Sequence, residues 1–441
     1  MKNTSALLHK LTATFAAATA LALSGCSGGF QQAMNQPVTL AGTALHGKVH
    51  GGQQPVASAS LYLYAASTSG YSAANTNLLR SSVLTDAGGN FNITNDYTCT
   101  AGQQMYLVVV GGNSGGGTNA NIALMAALGD CANLSASTNI LMNEVTTIAS
   151  VYALAPFMSD YTHIGSSATN KQGLARAFNN VNKLVSNSTG SAGGPALAAN
   201  ASLPLEEINT LANILAACIN TGGVSGNSAG ACATLFADMT PSGGTAPSDT
   251  IGLALALARN PALNVDKVFP YALPTSPFMP QLSRAPADWT VTISYNTGAL
   301  STPATTTVDT QGNIWVADPA TNTVAVLTQT GAPASGSPFS GNGLNAPSSI
   351  AIDSAGNGWI ANGSGTTVSV FTASGSVVGG SPFSGGGAIS APTSIAIDAP
   401  GNIWIGNRAS KTVTELSNSG GLLYQSPVQT GTPGSVAINP R

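Results

Sequence analysis

Apolar residues recur at three different periods along this chain. From 38 to 112 the period is two. In "LHGKVHGGQQPVASASLYLYAAS", Val49, Val56, Leu61 and Leu63 take the apolar positions, the pattern of strands with one buried face. Gly51-Gly52-Gln53-Gln54-Pro55 supplies one turn and Asp86-Ala87-Gly88-Gly89-Asn90 a second, after which Phe91 and Ile93 share a face. "QMYLVVVGG" is an unbroken apolar run and predicts a strand covered on both sides. The expectation over 38–112 is a small antiparallel β-sandwich.

From 113 to 285 the period becomes helical. Four helices are predicted. The first, 139–158, carries Leu141, Val145, Ile148 and Tyr152, and the second, 170–185, carries Leu174, Phe178, Val181, Leu184 and Val185. The third, 202–220, has Ser202 as cap, Pro204 early, and Glu206 and Glu207 in a first turn where the helix dipole favours negative charge. The fourth, 248–261, is capped by Ser248 or Asp249 and stopped at Asn260-Pro261. Gly/Ser/Thr-rich loops join them, which suggests a loose helical bundle.

From 286 to 441 a much longer period governs. "PATTTVDTQGNIWVAD" at Pro303 returns as "PSSIAIDSAGNGWIAN" at Pro347 and "PTSIAIDAPGNIWIGN" at Pro392. The markers Asp309, Asp353 and Asp398, and Trp315, Trp359 and Trp404, are spaced 44 and 45 residues apart. Short strands at such a period predict propeller blades. In the third copy Ile395 and Ile397 share a face, Asp398 to Asn402 make a hairpin turn, and Trp404 points away from Ile403 and Ile405. "TVTEL" is the third strand and "LLYQSP" the outer one. The three Asp residues therefore read as turn formers and the three Trp residues as repeat core. About three blades are expected. "SVAINPR" places Asn439 41 residues after Asp398, as if a fourth blade began. A truncated reading frame, or several chains completing one ring, is the expectation, with self-association through the open propeller edge. Residues 287–296 are expected to lend a closing strand to a last blade.

Composition narrows the partners. Asp, Glu, Lys and Arg make up only 7% of the chain, against roughly 25% in average soluble proteins, and the net charge is −3. No basic patch is present, so nucleic acid is excluded as a partner. The N-terminus, with Lys2, His9 and Lys10 before "LTATFAAATALAL" and "LSGC", has the form of a secretory leader over 1–25. The "LSGC" run resembles a bacterial lipobox. That resemblance implies a diacylglycerol on Cys26, a polar tether over 26–37, and attachment to a membrane surface on the periplasmic face or at the outer membrane. Cys99, Cys131, Cys218 and Cys232 remain for an oxidising compartment. Of three pairings, the nearest-neighbour one, Cys99–Cys131 with Cys218–Cys232, closes the shortest loops.

Little else points to chemistry. Glu206 and Glu207 are adjacent, so on a helix they point apart. Glu144, in an otherwise apolar helix, reads as a cap or a buried hydrogen-bonding group. Asp160 and His163 complete the notable ionisable groups of the middle region. His46 and His50 lie about 13 Å apart if the segment is a strand, and read as surface residues. No CxxC, HExxH or P-loop occurs. No catalytic residue, metal or cofactor is expected.

Two family resemblances follow. Gly47, Val49, Pro55, Val56, Ala59, Leu61, Leu63, Tyr64, Thr85, Asp86, Gly89, Phe91 and Ile93 resemble the carboxypeptidase-regulatory-like, Ig-like domain, which implies a non-catalytic spacer or adhesive support. The D-x-x-G-N-x-W repeat over 290–440 resembles NHL-repeat and streptogramin-lyase-like propellers. Enzymatic members of that group use a histidine base and an acidic magnesium ligand. This chain has no His after His163, and between 290 and 440 its acids beyond the three turn positions are Asp318 and Glu415. The lyase chemistry therefore transfers to no residue here. The expectation is a multidomain, mainly β envelope lipoprotein: sandwich 38–112, helical domain 113–285, partial propeller 286–441. It would bind or scaffold an unknown protein or glycan ligand. A propeller enzyme and a structural or adhesive surface component are the alternatives.

Overall fold

The computed structural model describes residues 38–225, 230–272, 277–296, 300–425, 431 and 433–438. The leader, Cys26, the tether and Asn439 lie outside the described residues. The chain is mainly β, with many small sheets and few helices. It forms two compact units. One contains the residues up to Val181 with Val185–Ala192 and Glu206–Thr290; the other contains Asn182–Leu184, Gly193–Leu205 and the residues from Val291 on.

The first unit holds strands β1 (Thr39–Ala41), β2 (Leu45–Gly51), β3 (Gln54–Pro55), β4 (Ser60–Ala65), β5 (Val83–Leu84), β6 (Asn90–Ile93), β7 (Thr98–Thr100), β8 (Gln104–Val110), β9 (Ala123–Asp130) and β10 (Asn139–Met142). Two four-stranded sheets result. One has the order β10-β2-β3 with β6 also on β2; the other has the order β5-β4-β8-β9. Helices α1 (Glu144–Leu154), α2 (Lys171–Leu184), α3 (Leu205–Ile219), α4 (Gly230–Asp238), α5 (Thr250–Arg259) and α6 (Val265–Val268) follow, with the small hairpins β11 (Met158–Asp160) with β12 (His163–Ile164) and β13 (Val185–Ser186) with β14 (Ser191–Ala192).

The domain boundary expected at 112/113 is not present. β9 lies beyond it yet pairs with β8 along its whole length, and β10 joins β2 in parallel register, Met142 opposite Val49. The stretch 139–142, expected to begin a helix, is this strand. The reason is hydrogen bonding at a buried edge. β9 is the last strand of its sheet, so one row of its N–H groups faces away from β8. Those of Met125 and Ala127 donate to Thr147 Oγ1 and Ser150 Oγ of α1, each at 3.0 Å, and that of Ala123 donates to Thr250 Oγ1 of α5 at 2.9 Å. All three hydroxyl residues are fully buried. Helices α1 and α5 thus seal a sheet edge, where a free-standing helical bundle was expected. Ser202, expected as a cap, sits instead in a short strand, and α3 begins at Leu205. Asp249 is the cap of α5, accepting from the Gly252 N–H at 2.8 Å.

The second unit carries β15 (Ala201–Ser202), β16 (Ser294–Tyr295) and three consecutive antiparallel sheets: β17 (Thr305–Val308), β18 (Ile314–Asp318) and β19 (Thr323–Leu327); β20 (Pro347–Ile352), β21 (Gly358–Asn362) and β22 (Val368–Phe371); β23 (Pro392–Ile397), β24 (Ile403–Asn407), β25 (Thr412–Leu416) and β26 (Leu422–Gln425). The segment 287–296 does not close a blade, because its strand β16 pairs with β15. In every sheet the repeat Trp lies on the middle strand, opposite Val326, Val370 and Glu415 in turn. Trp315 packs with Ile350, Ile360 and Phe371 of the next sheet, and Trp359 with Ile395, Ile403, Ile405 and Leu416 of the one after. One blade's Trp face therefore beds on the next blade's isoleucine face. Where the third blade has Ile403 the second has Gly358, and the Trp315 ring lies flush against it: a Cβ there would be 2.6 Å from the ring. The "SPFS" segments stand in for an outer strand in the first two blades. Phe339 meets Trp315 edge-on and Phe383 stacks on Trp359. Ser348 Oγ donates to the Pro392 carbonyl at 2.8 Å, and Thr393 Oγ1 to that of Pro433 at 2.9 Å. Pro433 thus takes, beside the third blade, the place Pro392 takes beside the second.

The sealed edge makes a prediction. Thr147→Val, Ser150→Ala and Thr250→Val each leave one buried N–H without an acceptor. Each is expected to cost about 1–3 kcal/mol, read from denaturant midpoints. Midpoints unchanged in all three variants would contradict the assignment.

Candidate functional site

The blade carboxylates are bound by their own fold. Asp309 accepts from the N–H groups of Gln311 and Asn313 at 2.9 and 2.8 Å, and from Trp315 Nε1 at 3.2 Å. Asp353 does the same with Ala355, Asn357 and Trp359 Nε1, at 2.9, 2.8 and 3.0 Å. Asp398 accepts from the Asn402 N–H at 2.7 Å and from Trp404 Nε1 at 3.0 Å. The Trp404 indole, with the turn amides, holds the Asp398 carboxyl below its ordinary range. Gly312, Gly356 and Gly401 close these turns at φ of 87°, 83° and 95°, a region that disfavours a side chain. Asp86 builds the same turn with Asn90 in the first unit. Asp318 is also occupied: it accepts from the N–H groups of Ser301, Thr302, Ala320 and Thr321. Burial pushes its carboxyl up, and these donors outweigh that and hold it low.

Cys99 is joined to Cys131 and Cys218 to Cys232. Among the described residues no group of three or more His, Cys, Asp or Glu side chains is placed to hold a metal. His46 is exposed and His50 half-buried on β2, where burial and then Lys48 lower the His50 imidazole.

Two acids in the first unit are buried against their chemistry. Glu144 opens α1 and is fully buried; its Oε1 accepts from the Gly52 N–H at 2.7 Å, across the β2–β3 turn, and its Oε2 has no partner. Burial pushes this carboxyl up to about 8, against its own amide and that of Gly52. Glu206 is exposed at the start of α3, whereas Glu207 turns inward. Burial, and then Asp288, raise Glu207 to about 7, so a favourable helix-start charge does not describe it. Neither Glu207 Oε1 nor the Tyr152 hydroxyl, which feels both carboxylates, has a partner. The closeness of Glu207, Asp288 and Tyr152 left no signal in the sequence.

A groove of ligand-sized dimensions lies in the same unit. A cavity of about 380 Å³ lies between the β11–β12 hairpin, the loop 241–249 and α5. A second, of about 600 Å³, adjoins it; the two share Ser159 and Arg259, and Tyr71 and Ser72 line the outer one. The Tyr106 hydroxyl on β8 donates to the Tyr161 carbonyl at 2.8 Å, which fixes the hairpin to the sheet. Asp160 accepts from Thr162 and sits 2.9 Å from His163 Nδ1. Burial pulls its carboxyl up, but these partners hold it below the ordinary value. Burial raises the Asp249 carboxyl, as it does the Tyr161 phenol, which Asp249 raises further. Of these residues the sequence had marked only Asp160, His163 and, as a cap, Asp249.

No family model matches this chain, and no curated protein matches it. Solved structures to which it is similar include a catalytically inactive variant of virginiamycin B lyase from Staphylococcus aureus with quinupristin, 18% identical over 33% of this chain and 48% of that chain, TM-score 0.29. Others are a streptogramin B lyase (18% identical, 32% and 46% covered, TM-score 0.28) and a protein of unknown function from Bacteroides caccae (18% identical, 33% and 53% covered, TM-score 0.27). The matched residues span about half the length of those structures. Likenesses this remote bear on neither activity nor ligand.

The Glu144 carboxyl makes a pH prediction. Its ordinary value is 4.5 and its folded value about 8. Between these, the folded chain keeps a proton that the unfolded chain has released, so its contribution to stability falls as pH rises across that window and is level above it. Glu144→Gln retains the acceptor for Gly52 and removes the titration. The variant is expected to match the native chain near pH 5 and to exceed it near pH 9, by on the order of a few kcal/mol in denaturant melts. A stability difference independent of pH would contradict this.

Proposed function

We propose that this chain is a lipid-anchored protein of the cell envelope that binds or scaffolds and does not catalyse, with its blades as the interaction platform. One observation carries the reading: Asp309, Asp318, Asp353 and Asp398 are all engaged by donors of their own fold. A general acid, a base or a metal ligand needs a lone pair or proton directed at a ligand, and these carboxylates direct theirs at the backbone and at indole N–H groups. The two disulfides point to an extracytoplasmic location. Among the described residues no helix is long and apolar enough to cross a membrane. The "LSGC" run supports a diacylglycerol at Cys26 as the anchor. The same reading takes the two sheets of the first unit, with β9 and β10 included, as an Ig-like sandwich acting as a non-catalytic support. The exposed Leu422, Leu423 and Tyr424 on outer strand β26 favour self-association through the blade edge. A charge-poor surface suits a protein or glycan partner and no nucleic acid.

Two measurements test this. The native chain should partition with membranes and carry the added mass of a lipid, and Cys26→Ala should release it; a soluble, unlipidated native chain would overturn the anchor. Incubation with quinupristin, followed by chromatography, should leave that compound intact. Its consumption by the native chain, lost on substitution of a blade carboxylate, would overturn the non-catalytic reading.

A further inference from the structure

We propose that the groove running from Tyr71 past Arg259 to Asp249 is a binding site for a neutral oligosaccharide. This goes beyond the blade reading, since every residue involved belongs to the first unit. Size is the first argument. The two adjoining cavities, about 380 and 600 Å³, fall in the range of small-molecule sites and together accommodate a chain of several sugars.

The lining is the second argument. Tyr71, at the outer end, is 60% exposed. An exposed aromatic face suits the C–H face of a pyranose, while its hydroxyl suits the ring's rim. Beside it Ser72 holds a left-handed backbone, φ 48°, and its hydroxyl is buried without a partner. Strain and an unsatisfied hydroxyl together mark a position kept for contact. Where the cavities meet, Arg259 uses Nη2 on the carbonyls of Ala155 and Met158, which fixes the guanidinium plane; among the described residues its other nitrogens carry no hydrogen bond. Asp160 lines the inner wall; its Oδ1 is taken by Thr162, and its Oδ2, beside His163 Nδ1, keeps acceptor capacity. Donors, acceptors and an aromatic face thus line one groove, which suits a ligand that carries hydroxyls all round.

Charge selects within that class. Asp160 and Asp249 outnumber Arg259 in the lining, so an acidic glycan would meet net repulsion. A peptide would need a row of unpaired backbone groups or a deep apolar pocket for its side chains. The groove instead mixes side-chain hydroxyls, charges and prolines with small and aliphatic side chains such as Ala155, Ile251 and Leu255.

Calorimetric titration of the full chain with cellotetraose, maltotetraose and the tetramer of N-acetylglucosamine tests the proposal. At least one is expected to bind. Tyr71→Ala should weaken it tenfold or more with the melting temperature unchanged, as the ring is mostly in solvent, and Asp160→Asn should weaken it as well. Val377→Ala, an exposed blade position, should leave the affinity as it is. No binding by any of the three, an affinity indifferent to Tyr71→Ala, or retention of random peptides in their place would overturn it. None of these outcomes touches the lipid anchor or the blades.

Discussion

A backbone N–H removed from water needs an acceptor, and in this chain that acceptor is repeatedly the oxygen of a short side chain. The constraint follows from composition. With 7% charged residues the fold has few ion pairs to draw on; among the described residues they are His163–Asp160 and Lys267–Asp238. Threonine, serine, asparagine and isolated aspartates take over. Three hydroxyls close the free edge of β9, four aspartates build the same tight turn, and at the end of the middle blade strands Asp318, Asn362 and Asn407 each accept a loop N–H. Removing such an acceptor strands a donor, so these residues are more tightly constrained than their polarity suggests.

The same constraint divides the molecule by chemistry. In the blades, Asp309, Asp318, Asp353 and Asp398 are committed to turns and strand ends. Their sheets instead offer broad faces, stacked through alternating tryptophan and isoleucine surfaces. In the first unit the sheet and helices leave a groove where, among the described residues, the Ser72 hydroxyl and the Arg259 nitrogens other than Nη2 carry no hydrogen bond.

Legibility in the sequence followed distance along the chain. The blade turns were readable because Asp309, Gly312, Asn313 and Trp315 act within seven residues and are then repeated twice. Asp249 was readable as a cap because its partner is three residues on. β9 and β10 were not readable as parts of the first sheets. Their partners lie in β8 and β2, and the free edge of β9 is satisfied in part by Thr250, more than a hundred residues later. The raised carboxyl of Glu207 reflects burial and then Asp288, and the groove joins Tyr71, Asp160 and Arg259. None of these relations leaves a local pattern. Helical periodicity over 139–158 was real from Glu144 on, but it was extended backwards over a strand with similar apolar content.

Native-state hydrogen exchange at the amides of Ala123, Met125 and Ala127 tests most directly the claim that short side chains complete this backbone. Geometrically these are edge amides. If Thr147, Ser150 and Thr250 hold them, they exchange as slowly as the central amides of β8, opening only with the unit as a whole. Exchange as rapid as that of an unsealed edge strand would mean the hydroxyls do not close the sheet, and the account would fail.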